Sequence, residues 1–498
     1  VNTTGAGNVA VGRNSLNANT TASNNTAVGL NALTANTTGQ QNVAVGSAAL
    51  DTNSTGDFNV AVGYASLDAN TTGDSNTGVG YGTLAANTTA DNNTAIGASA
   101  LLSNTTGYTN TAVGKEAGKS ITTGYGNTAL GSDSLENNQT GIYNTAVGLA
   151  SLGNTTGDNN TGVGFGSGAS TTTGTSCVFV GSYAGLSNTT GDNNTIVGRA
   201  SLYSNTTGGN NTTLGYGTLL ANTTADNNTA IGYNALTANT TGASNTAVGQ
   251  NALTSNTTAS GSVAIGRKAL EANTTGSNNT AVGLESLKTN TTGANNIAIG
   301  NEALDANTTA DNNTALGYAA LTANTTGASN VAVGKEALKS NTTASNNTGI
   351  GEQCLEDNTT GTSNTGLGRV ALNANTTGNN NTACGKDALA TNTTGSENTA
   401  VGSLALDANT TASENTAFGY QTLTANTTGS NNTALGNQAL LSNTTAQFNT
   451  GVGHHALENN TTGASNTSVG SDSLRANTTG ANNAGFGSNA GASITTGN

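Results

Sequence analysis

The side-chain pattern with most potential for chemistry in this sequence is Asn-Thr-Thr, which recurs along the whole chain. Each copy is an Asn-x-Ser/Thr acceptor sequence for an N-linked glycan. Sequons of this kind begin at Asn19, Asn36, Asn53, Asn70, Asn87, Asn104, Asn239 and Asn273. The same residues also suit turns and amide ladders, and Ile121 and Ile494 in the equivalent position indicate that it is partly packed. Regular glycosylation and a purely structural role both remain open.

Few other side chains suggest a reactive site. His454 and His455 are the two histidines, and no further metal ligand lies beside them in the sequence, so we interpret them as surface residues and predict no metal site. The segment Gly78-Val79-Gly80 is a by-product of the repeat and lacks the strand, loop and helix of a phosphate-binding site. No acid–base or nucleophile set appears, so we predict no catalytic residues, no cofactor and no enzymatic activity.

The cysteines and the charges narrow the class of protein further. Cys177, Cys354 and Cys384 occupy three different positions of the repeat, so a disulfide framework is not expected, and the last two suit small core positions. The net charge of −14 with no basic stripe argues against nucleic acid as a partner. No apolar run approaches the ~20 residues that a membrane span needs.

These side chains sit in a repeat of 17 residues, of which residues 26–42, TAVGLNALTANTTGQQN, are a typical copy. Its anchor is the glycine after Ala-Val, which recurs as Gly12, Gly29, Gly46 and so on to Gly487. The spacing is 17 throughout except for one step of 16, from Gly148 to Gly164. We number positions within a coil from this glycine. A fixed period of this size is typical of a repeat architecture.

Within a coil, Thr-Ala-Val has the alternation of a short strand, and the anchor glycine allows a sharp corner. A second apolar step, Ala-Leu, ends at position +4, and Asn-Thr-Thr-Gly turns the chain back. We predict a core made of the strand, glycine and leucine positions, as in Val28, Gly29, Leu33, Val45, Gly46 and Leu50. A glycine in each window makes helix a poor alternative.

The chain is therefore predicted to be all-β, a parallel β-solenoid or β-roll of about 29 coils in one uninterrupted array over residues 1–498. Both ends fall within a repeat, so we expect an uncapped segment of a longer fibre. One valine-class and one leucine-class side chain per coil make a thin core. Three chains around a common axis, with their alanine faces together, would bury more apolar surface, so we expect the chain to assemble with itself, as a homotrimer or a filament.

Repeats such as NTAVGLNALTANTTG and NNTAIGYNALTANTTG resemble those of phage and bacterial tail-fibre and adhesin-like proteins. The Asn-x-Ala-[Val/Ile]-Gly core is similar to the head repeats of trimeric autotransporter adhesins, although the period of 17 is longer than is typical of those heads. This resemblance, which runs along the whole chain, implies a trimeric, left-handed parallel β-roll.

From these observations we expect a structural fibre or adhesin shaft that assembles with itself, outside the cell or on a virion. Receptor contacts would come from residues after the anchor glycine, such as Tyr64, Tyr81, Tyr233, Tyr318 and Tyr420; the receptor itself stays open. One alternative is a filament coated with covalent N-glycans. An ice-binding solenoid is less favoured, because neighbouring threonines of Asn-Thr-Thr point to opposite sides of a strand.

Overall fold

The computed structural model describes residues 2–497. The chain is an all-β parallel β-solenoid of about 28 turns, each of about 17 residues, and residues 2–497 contain no helix. Accordingly, this part of the chain offers no helix with the length and apolar character to cross a membrane. The predicted all-β parallel β-solenoid with a repeat of about 17 residues is confirmed. The coils fall into two units, Val1–Asn245 and Thr246–Asn498, each of which has the same construction.

Every coil contributes one strand of three residues that ends immediately before the anchor glycine. The first unit contains β1 (Val9–Val11), β2 (Thr26–Val28), β3 (Val43–Val45), β4 (Val60–Val62), β5 (Thr77–Val79), β6 (Thr94–Ile96), β7 (Thr111–Val113), β8 (Thr128–Leu130), β9 (Thr145–Val147), β10 (Thr161–Val163), β11 (Val178–Val180), β12 (Thr195–Val197), β13 (Thr212–Leu214) and β14 (Thr229–Ile231). The second contains β15 (Thr246–Val248), β16 (Val263–Ile265), β17 (Thr280–Val282), β18 (Ile297–Ile299), β19 (Thr314–Leu316), β20 (Val331–Val333), β21 (Thr348–Ile350), β22 (Thr365–Leu367), β23 (Thr382–Cys384), β24 (Thr399–Val401), β25 (Thr416–Phe418), β26 (Thr433–Leu435), β27 (Thr450–Val452), β28 (Thr467–Val469) and β29 (Ala484–Phe486).

Within each unit, successive strands pair in parallel and in register. Ala27 of β2 lies opposite Ala44 of β3, so equivalent residues of neighbouring coils stand one above the other. The missing residue between Gly148 and Gly164 does not disturb this register, because β10 still pairs with β9, with Val163 opposite Val147. The deletion is absorbed in the turn, where the sequence places it.

The strands bury their middle residue and direct the two flanking residues outward. Ala27 and Ala44 are fully buried, whereas Val28 is half-buried and Val45 is 36% exposed. Two predictions are therefore corrected. The valine positions, including Val28 and Val45, lie on the outer face rather than in the core, and the alanine face lies inside each coil rather than between chains.

The leucine at position +4 fills the interior as predicted, but in an unexpected backbone conformation. Leu33 and Leu50 are fully buried with φ angles of 52° and 51°, in the left-handed region. This conformation costs a residue with a Cβ about 1–2 kcal/mol, and burial of a leucine side chain offsets it by about 2 kcal/mol. The left-handed corner aims the side chain into the coil.

Where glycine replaces this leucine, another side chain fills the space. An added Cβ at Gly118 would lie 3.0 Å from Ile121 Cδ1, and one at Gly491 would lie 3.0 Å from Ile494 Cδ1. The two positions therefore share one volume, as the paired exchange in the sequence indicates. In two further coils, the buried Phe179 ring from the middle of β11 closes on Gly168 and Gly185.

The anchor glycine is required for two separate reasons. Gly283 has a φ angle of 134°, which residues with a side chain rarely adopt. A Cβ at this position would also lie 2.5 Å from the carbonyl oxygen of Gly300, the anchor of the next coil. The backbones of successive coils thus approach each other too closely for any side chain.

We predict that Gly283→Ala destabilises the second unit by about 2 kcal/mol or more, because backbone strain and inter-coil overlap add. Gly349→Ala, in the middle of β21, is the matched control. Its position has no left-handed φ, an added Cβ there would lie no closer than 3.3 Å to another atom, and alanine occupies the paired position in β20, at Ala332. Denaturant unfolding followed by circular dichroism measures both variants. Equal midpoints for the two would contradict the requirement for glycine at the anchor.

Candidate functional site: two asparagine ladders, one strand face and one charged corner

The asparagines of Asn-Thr-Thr form a continuous ladder inside the coils, which we call the turn ladder. Asn36 Nδ2 donates one hydrogen bond to the Gly39 carbonyl oxygen at 2.9 Å and another to Asn19 Oδ1, one coil earlier, at 3.1 Å. Both amide hydrogens are therefore used. The pattern repeats coil after coil, with Asn53 donating to Asn36 at 3.0 Å and Asn70 donating to Asn53 at 2.9 Å.

Every asparagine that we singled out as a possible glycan acceptor belongs to this turn ladder. All of them are buried, with no more than 1% of the residue exposed: Asn19, Asn36, Asn53, Asn70, Asn87, Asn104, Asn239 and Asn273. The ladder ends wherever isoleucine takes the position. Asn104 Oδ1 and Asn477 Oδ1, which precede Ile121 and Ile494, are buried without a hydrogen-bond partner. Isoleucine thus fills the volume but leaves the preceding amide oxygen unsatisfied.

A second ladder, the strand ladder, consists of the asparagine that precedes each strand. Asn42 Nδ2 donates to the Gly56 carbonyl oxygen at 2.8 Å, and Asn42 Oδ1 accepts the backbone N–H of Asn59 at 2.8 Å. One buried amide therefore binds the backbone of the following coil twice. The backbone N–H of Asn42 is bound in turn by Asn25 Oδ1 at 2.9 Å.

Cys177 shows what the strand ladder requires. It replaces an asparagine, its backbone N–H still donates to Asn160 Oδ1 at 3.0 Å, and its Sγ donates to the Gly191 carbonyl oxygen at 3.3 Å. Burial raises the pKa of this thiol to about 11, so it stays protonated and keeps its donor.

The other two cysteines have different surroundings. Cys354 is fully buried as predicted, and burial raises its pKa to about 12. Cys384 is only partly buried because it takes the outward valine position of β23, which corrects its assignment to the core. All three thiols are free in the part of the chain that the structure describes.

The turn ladder bears directly on glycosylation. A glycan on Asn36 would replace a hydrogen of an Nδ2 that already donates two hydrogen bonds, within a fully buried side chain. Glycosylation of a turn-ladder asparagine is therefore incompatible with an intact ladder at that position.

Asn154 is an Asn-Thr-Thr asparagine that lies outside the ladder. Because one residue is missing between Gly148 and Gly164, Thr155 takes the buried position in that coil and Asn154 is exposed.

A second set of sequons, which our sequence analysis did not single out, lies on the surface. In several coils an asparagine at position +12 precedes the strand-ladder asparagine and a threonine, which makes Asn-Asn-Thr. These asparagines have left-handed φ angles that turn them outward, and most are exposed: Asn24, Asn92, Asn159, Asn193, Asn210, Asn227, Asn278, Asn312, Asn346, Asn380 and Asn431. The Asn-Asn-Thr acceptors are visible in the sequence, but only the burial of each asparagine in the structure distinguishes them from the acceptors of the turn ladder.

We predict that N-glycans, when the chain is secreted by a glycosylating eukaryotic host, occupy exposed acceptors such as Asn24, Asn154 and Asn312 and spare the turn ladder. Enzymatic deglycosylation in ¹⁸O-water followed by peptide mass spectrometry locates each occupied asparagine. Asn307→Gln and Asn312→Gln form a matched pair from one coil, and only the second should remove a glycan. A glycan at Asn307 or another turn-ladder position in folded, soluble protein would contradict this geometry.

The outward face of the strands carries two ranks of side chains. One rank is the first residue of each strand, which is threonine or valine except for Ile297 in β18 and Ala484 in β29. The other rank is the apolar residue before the anchor glycine. Several of these apolar side chains are well exposed, including Ile265 at 41%, Leu316 at 44% and Phe418 at 52%. No charged residue occurs in these strands. The result is a row of apolar side chains open to solvent.

The threonines of Asn-Thr-Thr do not form a free two-rank array. The hydroxyl of Thr37 donates to the Ser54 carbonyl oxygen at 3.0 Å, whereas Thr38 is exposed. The first threonine is thus occupied with the next coil and only the second faces solvent freely. The arrangement of these threonines gives little support to the alternative of an ice-binding solenoid.

The corner after the anchor glycine contains every lysine and arginine and most of the acidic side chains, while other acidic residues, such as Asp74, follow Asn-Thr-Thr-Gly. Residues at positions +2 and +5 of one coil meet at the corner, as in the ion pairs of Lys119 Nζ with Glu116 Oε2 at 2.9 Å and of Lys288 Nζ with Glu285 Oε2 at 3.0 Å. The hydrogen bond from Lys288 lowers the pKa of the Glu285 carboxyl. Such exposed pairs contribute little to stability, typically less than about 1 kcal/mol.

The tyrosines proposed as contact residues occupy position +1 of the same corner. Tyr64 and Tyr81 stack in successive coils with ring centroids 5.6 Å apart, and both are more than half exposed. Tyr233, Tyr318 and Tyr420 are also exposed. They are available to a partner, but nothing in their arrangement identifies one.

Fold and surface together define a parallel β-solenoid repeat protein with buried asparagine ladders. Comparison of the sequence with protein-family models and with curated proteins found no match.

Proposed function

We propose that this chain is a shaft segment of an extracellular structural fibre or adhesin, that it assembles with itself, and that it performs no catalysis. The observation that carries this proposal is the repetition of one set of bonds between successive coils. Asn36, Asn53 and Asn70 bind one another in sequence, and the strand-ladder asparagines bind the next backbone. Each coil presents the same hydrogen-bonding groups to the next coil, so the length and the rigidity of the solenoid follow from the number of repeats.

The hydrogen bonding of the coil supports a mechanical role. Outside the strands, backbone N–H groups also donate to the neighbouring coil, as from Leu33 to the Ala49 carbonyl oxygen at 3.0 Å and from Ala35 to the Asp51 carbonyl oxygen at 2.9 Å. Separating two coils would therefore break bonds around the whole turn. An object of this kind resists bending and local unfolding without a large apolar core.

Self-assembly is proposed to occur through the strand face. Monomeric soluble proteins rarely expose long continuous rows of apolar side chains. The row that contains Ile265, Ile299 and Leu316 is uncharged and exposed. In a homotrimer, these rows would face a common axis and shield one another. This arrangement replaces the predicted contact between alanine faces.

Adhesion, in this proposal, belongs to the corner after the anchor glycine. Its residue types vary from coil to coil, whereas the ladders do not vary freely, because each amide must match its neighbours. Exposed aromatic residues such as Tyr64 and Tyr318 are suited to binding because they add contact area at low entropic cost. A row of such corners would offer a receptor many weak contacts.

We predict that the purified chain is trimeric and that the triple variant Ile265→Thr/Ile299→Thr/Leu316→Thr is monomeric. Threonine is β-branched and therefore suits a strand, but it removes apolar area from the face. Size-exclusion chromatography with light scattering measures the mass of each. Tyr318→Thr is the matched control, since it removes an exposed apolar side chain from the corner, and it should remain trimeric. A monomeric parent chain, or a trimeric triple variant, would contradict assembly through this face.

The glycan-coated filament is retained as a second candidate because of the exposed Asn-Asn-Thr acceptors, such as Asn24 and Asn312. Glycans at position +12 would leave both ladders intact, whereas glycans on the turn ladder would not. The mass-spectrometric mapping described above decides whether these positions are occupied. This candidate is compatible with a shaft and adds a carbohydrate layer to it.

A further inference from the structure

We propose that His454, His455 and Asp472 form a binding site for one divalent transition-metal ion, with Zn²⁺ as the reference ion. The three residues come from two successive coils. Their candidate ligand atoms all lie within 4.8 Å of one another. This site is independent of the proposed fibre function and requires neither trimerisation nor glycans.

The local backbone explains why two adjacent histidines point the same way. In an extended strand, neighbouring side chains alternate between opposite sides. His455 instead has a φ angle of 57°, in the left-handed region, at the corner after Gly453. The two imidazole rings consequently stack, with centroids 3.6 Å apart and an angle of 21° between their planes. The corner common to all coils thus places the two adjacent imidazole rings, and their nitrogen donors, beside each other.

The third ligand comes from the next coil. Asp472 occupies the same position, +2, as His455, and the register places them one above the other. His455 Nδ1 lies 3.6 Å from Asp472 Oδ1 and 3.4 Å from Glu458 Oε2. The period of 17 predicts that these two positions stack, but we looked for further ligands only beside the histidines in the sequence, and our prediction of no metal site rested on their apparent lack.

The surroundings of His455 Nδ1 suit a metal ligand better than a member of a completed hydrogen-bond network. Its Nδ1 is shielded from solvent and makes no hydrogen bond, although carboxylate oxygens face it on two sides. Zinc–nitrogen bonds are about 2.0–2.1 Å long, so ligand atoms around a tetrahedral ion lie about 3.4 Å apart. The candidate ligand atoms, which lie within 4.8 Å of one another, would have to move to about that spacing to bind one ion, and His454 is exposed.

The residue that competes with a metal ion is Arg475. Its Nε lies 2.6 Å from Glu458 Oε2, and its Nη1 lies 3.1 Å from Asp472 Oδ1. The guanidinium thus supplies positive charge to both carboxylates. An ion bound to Asp472 must share this carboxylate with Arg475 or displace it, so removal of Arg475 should strengthen binding.

The ligand set specifies the chemical class of the ion. Imidazole nitrogen with carboxylate oxygen suits Zn²⁺ and its first-row neighbours, whereas Mg²⁺ and Ca²⁺ prefer all-oxygen sites. Three protein ligands leave one position for water or for a ligand atom of another molecule. Because the chain has two histidines, both in this cluster, the expected stoichiometry is one ion per chain.

Isothermal titration of the full, untagged, chelator-treated chain with ZnCl₂ tests the proposal. We expect one Zn²⁺ per chain. His455→Ala and Asp472→Asn should each weaken binding at least tenfold, whereas Arg475→Gln should strengthen it. Asp133→Asn, which removes a carboxylate from position +2 of a distant coil, is the matched control and should bind as the parent does. Circular dichroism establishes that each variant is folded.

Cobalt(II) provides a second measurement that does not depend on heat. A tetrahedral Co²⁺ site with nitrogen and oxygen ligands gives visible d–d absorption, which should appear at one equivalent and be lost in His455→Ala. Absence of Zn²⁺ binding to the parent chain at 100 μM would overturn the proposal. So would binding that His455→Ala and Asp472→Asn leave unchanged, since the ion would then lie elsewhere.

Discussion

The interaction on which this structure depends is the hydrogen bond between identical buried amides of successive coils. A buried amide left without partners costs about 1–3 kcal/mol, yet this chain buries two asparagines in nearly every coil. It does so because each amide finds its partners in the coils before and after it. The same requirement fixes the register, since a shift of one residue would leave both ladders unsatisfied. In this chain the asparagine ladders stabilise the contacts between coils, as a large apolar core stabilises other domains.

The ladders also explain the character of the surface. Amides, small residues and one leucine fill the interior, where the middle residue of the strand points. Because side chains alternate along a strand, the apolar residue before the anchor glycine points outside. The outer row from Ile265 to Leu316 is thus a consequence of how the interior is packed. A solenoid with a small apolar core and one exposed apolar face is suited to the self-association proposed above. The charged corner, which bears no packing constraint, is free to vary.

Much of this architecture was accessible from the sequence, for reasons that are physical. Period, strand position, the glycine corner and the burial of Leu33 follow from spacing alone. Alternation shows that Ala27 and Val28 face opposite sides but not which side is inside, and we placed Val28 wrongly. The left-handed backbone conformation of the leucine at position +4 could not be predicted, because residues with a Cβ rarely adopt it. The position of the Phe179 ring could not be predicted, because the ring fills space left by glycines at the leucine position of neighbouring coils. The proximity of Asp472 to His455 becomes apparent only when side chains of stacked coils are compared.

Hydrogen exchange of asparagine side-chain amides, followed by NMR of selectively ¹⁵N-labelled protein in D₂O, tests the central claim most directly. The ladders predict two populations. The Nδ2 hydrogens of Asn307, bound to Asn290 Oδ1 at 2.8 Å and to the Ala310 carbonyl oxygen at 3.1 Å, should exchange slowly, with the protection of core backbone amides. Those of the exposed Asn312 should exchange within the dead time. Fast exchange of both, in a chain that remains folded, would contradict the claim that buried amide ladders hold the coils together.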